Sequence, residues 1–160
     1  AILVDYRNLE KSLDNPANPE SLKDFFLSME IEITKAGKII FPFVFIPDNY
    51  VGLAPVNQIS TTFNYYPIIC MKRKIDTGFG IKDADLVDTK MKDLAREILE
   101  HSAVTDILII SGDGDFQSLA IDARRHQKTV YVKSTQEVLS GRFTDISAYV
   151  NVRLILSGQV

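Results

Sequence analysis

The stretch ILIISGDGDFQSLA, residues 107–120, decides the fold. Its first four residues are apolar without alternation, the pattern of a parallel strand covered by helices on both faces. The chain then turns at Ser111 and Gly112, sets Asp113 and Asp115 one glycine apart, and resumes as FQSLAIDARRHQ (116–127) with helical character. Two carboxylates that close disfavour each other's ionisation. Either both serve as turn and cap residues in water, or a positive group sits between them.

The same alternation extends outward in both directions. AILVDY (1–6) reads as a short buried strand ending at Asp5. A helix is expected over 18–38, with Asn18 as cap, Pro19 at its first position, Gly37 closing it, and Leu22, Phe25, Phe26, Met29 and Ile33 at helical spacing. KIIFPFVFIP (38–47) is a second strand in which Pro42 marks an edge or a bend. A short helix is expected after Pro55, and PIICMKRK (67–74) is a third strand with a basic end. IDTGFGIKDAD (75–85) reads as a loop before the amphipathic helix LVDTKMKDLAREILEH (86–101). Beyond the fourth strand, DILIIS, the reading gives a fifth (128–134), a short helix (144–150), and VRLIL (152–156) as a sixth strand or packed tail.

Strands alternating with helices predict an α/β fold: a mostly parallel, Rossmann-like sheet in one domain spanning 1–160. With strand order 3-2-1-4-5, the first and fourth strands are neighbours where the winding reverses, and ligands bind at strand carboxyl ends there. That order brings Asp5, Asp113 and Asp115 to one crevice.

Composition narrows the classes of function. The 160 residues are 46% hydrophobic and 24% charged, ordinary globular values. No apolar run approaches the roughly 18 residues of a membrane span, and the opening segment is too short for a signal peptide. Cys70 stands alone, which fits a reducing, cytoplasmic setting. A net charge of −3 argues against an indiscriminate nucleic-acid binder, although a local basic strip can still dominate contact with a polyanion.

Singly, each acid has a plain explanation. Asp113 suits a turn, Asp115 a helix cap, Asp88 a capping arrangement with Asp85 or a favourable place on the helix dipole, and Asp5 a strand end. Jointly they fit a divalent cation, because Mg²⁺ and Mn²⁺ favour oxygen ligands and would relieve the repulsion between Asp113 and Asp115. Gly112 and Gly114 are expected to allow a tight turn and leave room for a phosphate.

ILVDYRN with Asp5 and Asn8, LVDTKM with Asp88, and SGDGDF followed by DARRHQKTVYV resemble NYN-domain proteins of the PIN-like nuclease group, over about Ile2 to Tyr149. The resemblance implies a three-layer α/β/α sandwich with an acidic site dependent on Mg²⁺ or Mn²⁺. It implies phosphodiester hydrolysis, usually of RNA. By matching motif, Asp5, Asp88, Asp113 and Asp115 become the catalytic and metal-binding acids, and Asn8 and Ser111 orient them. Asp88 has rivals in Asp76, Asp83 and Asp85, and Asp93 falls a residue early against the family spacing and is expected to face solvent.

Substrate binding requires cations. Lys72, Arg73 and Lys74, with Tyr65 and Tyr66 just upstream, would suit a single-stranded nucleic acid through phosphate contacts and stacking. Arg124, Arg125 and Lys128 read as solvated surface, and His101 and His126 as isolated surface or helix-end residues. Arg7 stands where a haloacid-type phosphatase needs a second Asp, and a toprim-like nuclease would carry Glu in place of Asp5. Walker, dinucleotide and serine-elbow motifs are missing from the sequence. The resulting expectation is a cytoplasmic, metal-dependent endoribonuclease acting on single-stranded RNA, without membrane association and with a homo-oligomer left open. The alternative is a non-catalytic RNA-binding or adaptor domain on the same fold.

Overall fold

The computed structural model describes residues 1–11, 13, 19–34, 37–52, 54–76, 78, 80–84, 86–135, 137–150 and 152–157. Among them, β1 (Ile2–Asp5), β2 (Pro42–Pro47), β3 (Tyr66–Cys70), β6 (Asp106–Ile110), β7 (Thr129–Thr135) and β8 (Val152–Ser157) form one sheet. Its order is β3-β2-β1-β6-β7-β8 and every pairing is parallel. Counted by these strands alone the order is 3-2-1-4-5, as expected, and VRLIL adds a sixth strand at the edge.

Strand periodicity divides the interior into two cores. Leu3, Phe45, Ile107, Ile109, Val130 and Val132 project to one face, against α4 (Val87–Glu100), α5 (Gln117–Arg125) and Phe143 of α6 (Gly141–Val150). Ile2, Val4, Val44, Ile46, Leu108 and Ile110 project to the other, against α1 (Tyr6–Lys11), α2 (Pro19–Thr34) and α3 (Ala54–Thr61). Both faces are covered, which is why these strands read as continuous apolar runs. Each such side chain contributes roughly 1.5–3 kcal/mol of burial. The crossovers from β1 and from β6 lie on opposite faces, so the crevice at the carboxyl ends of these two neighbours is left open.

Several details depart from the sequence reading. A helix, α1, starts directly after Asp5, an element the sequence reading did not include. Pro42 opens an interior strand, where a missing amide is tolerated at the first residue, so it marks neither edge nor bend. The segment read as a loop before α4 contains half of an antiparallel ribbon, β4 (Arg73–Asp76) with β5 (Ile81–Ala84), and β4 takes the basic end assigned to the third strand. Lys128 is not free surface: its ammonium donates to the His101 and Val104 carbonyls, tying the entry of β7 to the end of α4. Arg124, Arg125, His101 and His126 are exposed, as read. The Asn18 cap and the Asp85 rival lie outside the described residues, as do the side chains of Met29, Ile33 and Asp83.

Helix α4 sets the position of Asp88 through its buried stripe of Val87, Met91, Ala95, Ile98 and Leu99. Met91→Ala removes a fully buried side chain from that stripe, and we expect a loss of about 2–5 kcal/mol in urea unfolding with the slope unchanged.

Candidate active site

Asp5 ends β1 almost wholly buried, at 5% exposure. Chain direction places it there: α1 begins at the next residue, and the Asn8 amide in its first turn donates to Asp5 Oδ1 at 3.2 Å. The other carboxylate oxygen accepts from Ser111 Oγ at 3.2 Å. Ser111 Oγ in turn accepts from the Asp113 amide at 3.1 Å. Asn8 Oδ1 accepts from the Gly112 amide at 2.7 Å. Residues about a hundred positions apart are thus stitched across the gap between β1 and β6 by Asn8 and Ser111.

Asp88 and Asp113 are half-buried, and both lie close enough to act on the Asp5 charge. Burial raises the Asp5 carboxyl from its ordinary 3.8 to about 6, with the negative charges of Asp88 and Asp113 adding to the rise; the Asn8 and Ser111 hydrogen bonds oppose it. Asp88 comes from the first turn of α4. Asp93, one turn further on, is exposed, as expected, and it pairs with Arg96. Asp76 spends one oxygen on the Gly78 amide in the ribbon turn.

The acid pair that opened the sequence reading resolves into two different roles. Asp113 is the cap: its Oδ1 accepts from the Asp115 amide at 2.9 Å and starts the single 3₁₀ turn that leads into α5. Asp115, itself read as a cap, points outward, and its Oδ1 lies 3.1 Å from Arg142 Nη1. A positive group does accompany the pair, and it is a side chain 27 residues downstream. Among the described residues, no three His, Cys, Asp or Glu side chains are close enough to hold a metal ion between them.

The two glycines are required by the protein itself. A Cβ on Gly112 would meet the Val138 carbonyl oxygen at 2.4 Å, and one on Gly114 would meet Ser140 Oγ at 2.4 Å. The space expected for a phosphate is filled by the segment linking β7 to α6. Ser140 fastens that segment by donating its amide to the Gly112 carbonyl at 2.7 Å.

The basic strip is exposed but divided. Lys72 lies between β3 and β4, while Arg73 and Lys74 belong to the ribbon. Tyr65 is buried against Phe26, and Tyr66, 62% exposed, stands at the opposite end of β3 from Lys72, a strand of roughly 15 Å. The aromatics therefore do not interleave with these cations. Residues missed from sequence lie nearer the acids. Lys92, one turn along α4 from Asp88, places its ammonium 5.7 Å from the Phe116 ring centre. Lys133, 6% exposed at the end of β7, lines a small pocket with Asn8, Ser111 and Ser134. Neither carries a local motif; only i,i+4 spacing from Asp88 could have marked Lys92.

The family model for the NYN domain matches residues 1–149. A crystal structure of a protein of unknown function from Vibrio parahaemolyticus is similar, with a TM-score of 0.67 at 20% identity over 98% of this chain and 91% of that one. That likeness concerns the fold alone. No match was found among curated proteins. No helix of the described residues is long and apolar enough to cross a membrane.

A group protonated in the folded chain and ionised in the unfolded one makes stability fall as pH rises. For Asp5 the window runs from the ordinary 3.8 to about 6, and the penalty persists above it. Asp5→Asn is expected to flatten thermal stability across that window and, in EDTA at pH 7, to stabilise the fold by up to about 3 kcal/mol.

Proposed function

The chain belongs to the NYN domain family, whose members are nuclease-like domains, and from that premise we propose a metal-dependent endoribonuclease acting on single-stranded RNA. The observation that carries this reading is the buried Asp5 carboxyl, oriented by Asn8 and Ser111 and facing the charges of Asp88 and Asp113. An arrangement that raises the cost of ionising its own central acid has no structural benefit. It does suit a cation.

The donor chemistry fits Mg²⁺ or Mn²⁺, since every candidate ligand is a carboxylate oxygen. The wide spacing of the acids fits an open site, in which magnesium keeps several waters and takes one or two carboxylates. Asp5 with one of Asp88 and Asp113 would ligate the ion, and the remaining acids, Asp115 at the outer edge, would hold its waters. Bound there, it would polarise a phosphodiester and activate water for in-line attack. Ser111 couples the two strand ends, because one hydroxyl both donates to Asp5 and accepts from the Asp113 amide. Asn8 holds the Gly112 turn, and so the direction of Asp113, against the first strand. These residues supply preorganisation, the larger part of what a protein adds to metal-assisted hydrolysis. Proton handling would fall to water and the acids, His101 and His126 lying at the C-terminal ends of α4 and α5.

The second reading, a non-catalytic RNA-binding or adaptor domain, draws on the same wide spacing of the acids and on the commitment of Asp115 to Arg142. The two readings separate in a cleavage assay. Single-stranded RNA should be cut with Mg²⁺ or Mn²⁺, spared in EDTA, and cut at least a hundredfold more slowly by Asp113→Asn (a loss of about 3 kcal/mol at the transition state). Cleavage that survives EDTA counts against metal catalysis. Tight, salt-sensitive binding without cleavage favours the adaptor.

The exposed Lys72, Arg73 and Lys74 are proposed as a peripheral phosphate track. Replacing all three with Ala should reduce the slope of log affinity against log salt by about 2. An unchanged slope removes the ribbon from the interface.

A further inference from the structure

The segment between β7 and α6 is held against the acidic crevice by its backbone. Ser140 donates its amide to the Gly112 carbonyl at 2.7 Å, Gln117 Nε2 donates to the Arg142 carbonyl at 3.4 Å, and Phe143, fully buried, anchors the following turn. The Arg142 amide donates to Ser140 Oγ at 3.3 Å. Its side chain then runs past Gly114 so closely that a Cβ there would lie 2.8 Å from Arg142 Cδ. The guanidinium ends at Asp115, two residues from Asp113.

The Arg142–Asp115 pair does not explain this construction. Its side chains are 61% and 55% exposed, and a pair that open to solvent contributes little to stability. The segment is already fixed without it. Nη1 alone is engaged among the described residues, whereas a guanidinium offers five donors in a planar fork shaped for carboxylate or phosphate oxygens. An arginine placed by a rigid backbone, weakly paired and mostly solvated, is poised to change partners.

We propose that Arg142 is a phosphodiester-binding residue that grips the backbone of a nucleic-acid strand lying across the crevice. The proposal rests on the nuclease reading, and it assigns substrate contact to the segment after β7 that the matched motifs do not include. Gly114 then serves binding indirectly, since its missing side chain leaves room for Arg142 to pass. In the resting protein Asp115 occupies part of the fork and competes with phosphate.

The test is fluorescence anisotropy of a labelled single-stranded RNA in EDTA, so that no cleavage intervenes, over a salt series. Arg142→Gln should weaken binding about five- to tenfold and reduce the log–log salt slope by about 0.7, the value for one phosphate contact on a single strand. Arg142→Lys should keep the slope while losing part of the affinity, because the charge remains and the fork does not. Asp115→Asn should bind as tightly as wild type or tighter, having lost the competitor. An Arg142→Gln slope equal to wild type overturns the proposal while leaving the nuclease reading intact. Equal weakening by Arg142→Gln and Asp115→Asn also overturns it, since that pattern means the ion pair merely steadies the segment. If wild type binds no RNA at any salt, this proposal and the nuclease reading fall together.

Discussion

One carboxylate buried at a strand end governs the architecture around it. Asp5 sits where β1 stops and α1 starts, and burial alone would make its ionised form costly. The Asn8 amide and the Ser111 hydroxyl offset part of that cost. Ser111 can do so only because β6 lies beside β1, and the Gly112 turn holds its direction only because Asn8 accepts its amide. The parallel pairing and the acid network therefore depend on each other. Weakening either would loosen the register of the strands or the aim of Asp113.

The residual cost is informative. Burial raises the Asp5 carboxyl to about 6, and Asp88 and Asp113, which could have been placed elsewhere with gain to the folded chain, both add to that rise. Stability conceded at a cluster of like charges is the usual signature of a site kept for function. The same holds for the two glycines, whose positions admit no side chain because another segment docks there. What looked in the sequence like flexibility for a ligand is close packing of the chain on itself. The cation that this packing delivers, Arg142, belongs to a part of the chain with no motif of its own.

Much of the fold was legible because period and punctuation agree locally. Unbroken apolar runs such as Ile107–Ile110 required cover on both faces, and the helices between them supplied it. Crossover handedness restricted the order of the central strands, and the Rossmann-like order among those allowed placed Asp5 and Asp113 at one switch point. Errors arose where local signals were weak or misleading. The ribbon of β4 and β5 carries too few alternating residues to be read, and the length of β3 holds the cations away from Tyr65 and Tyr66. Pro42 was read as an edge marker, although a strand's first residue needs no amide.

The sequence by itself determined which faces are apolar, where strands stop, and hence that three acids from distant segments end at neighbouring strand tips. Those properties follow from short-range periodicity and the handedness of the chain. Only the tertiary structure decided what each acid does there. Asp113 caps a turn, Asp115 turns outward to an arginine, and Asp5 is buried between two neighbours' charges. Hydrogen bonds and ion pairs between residues 27 to 106 positions apart leave no periodic trace in a sequence. They exist once packing has brought their partners within about 3 Å of one another.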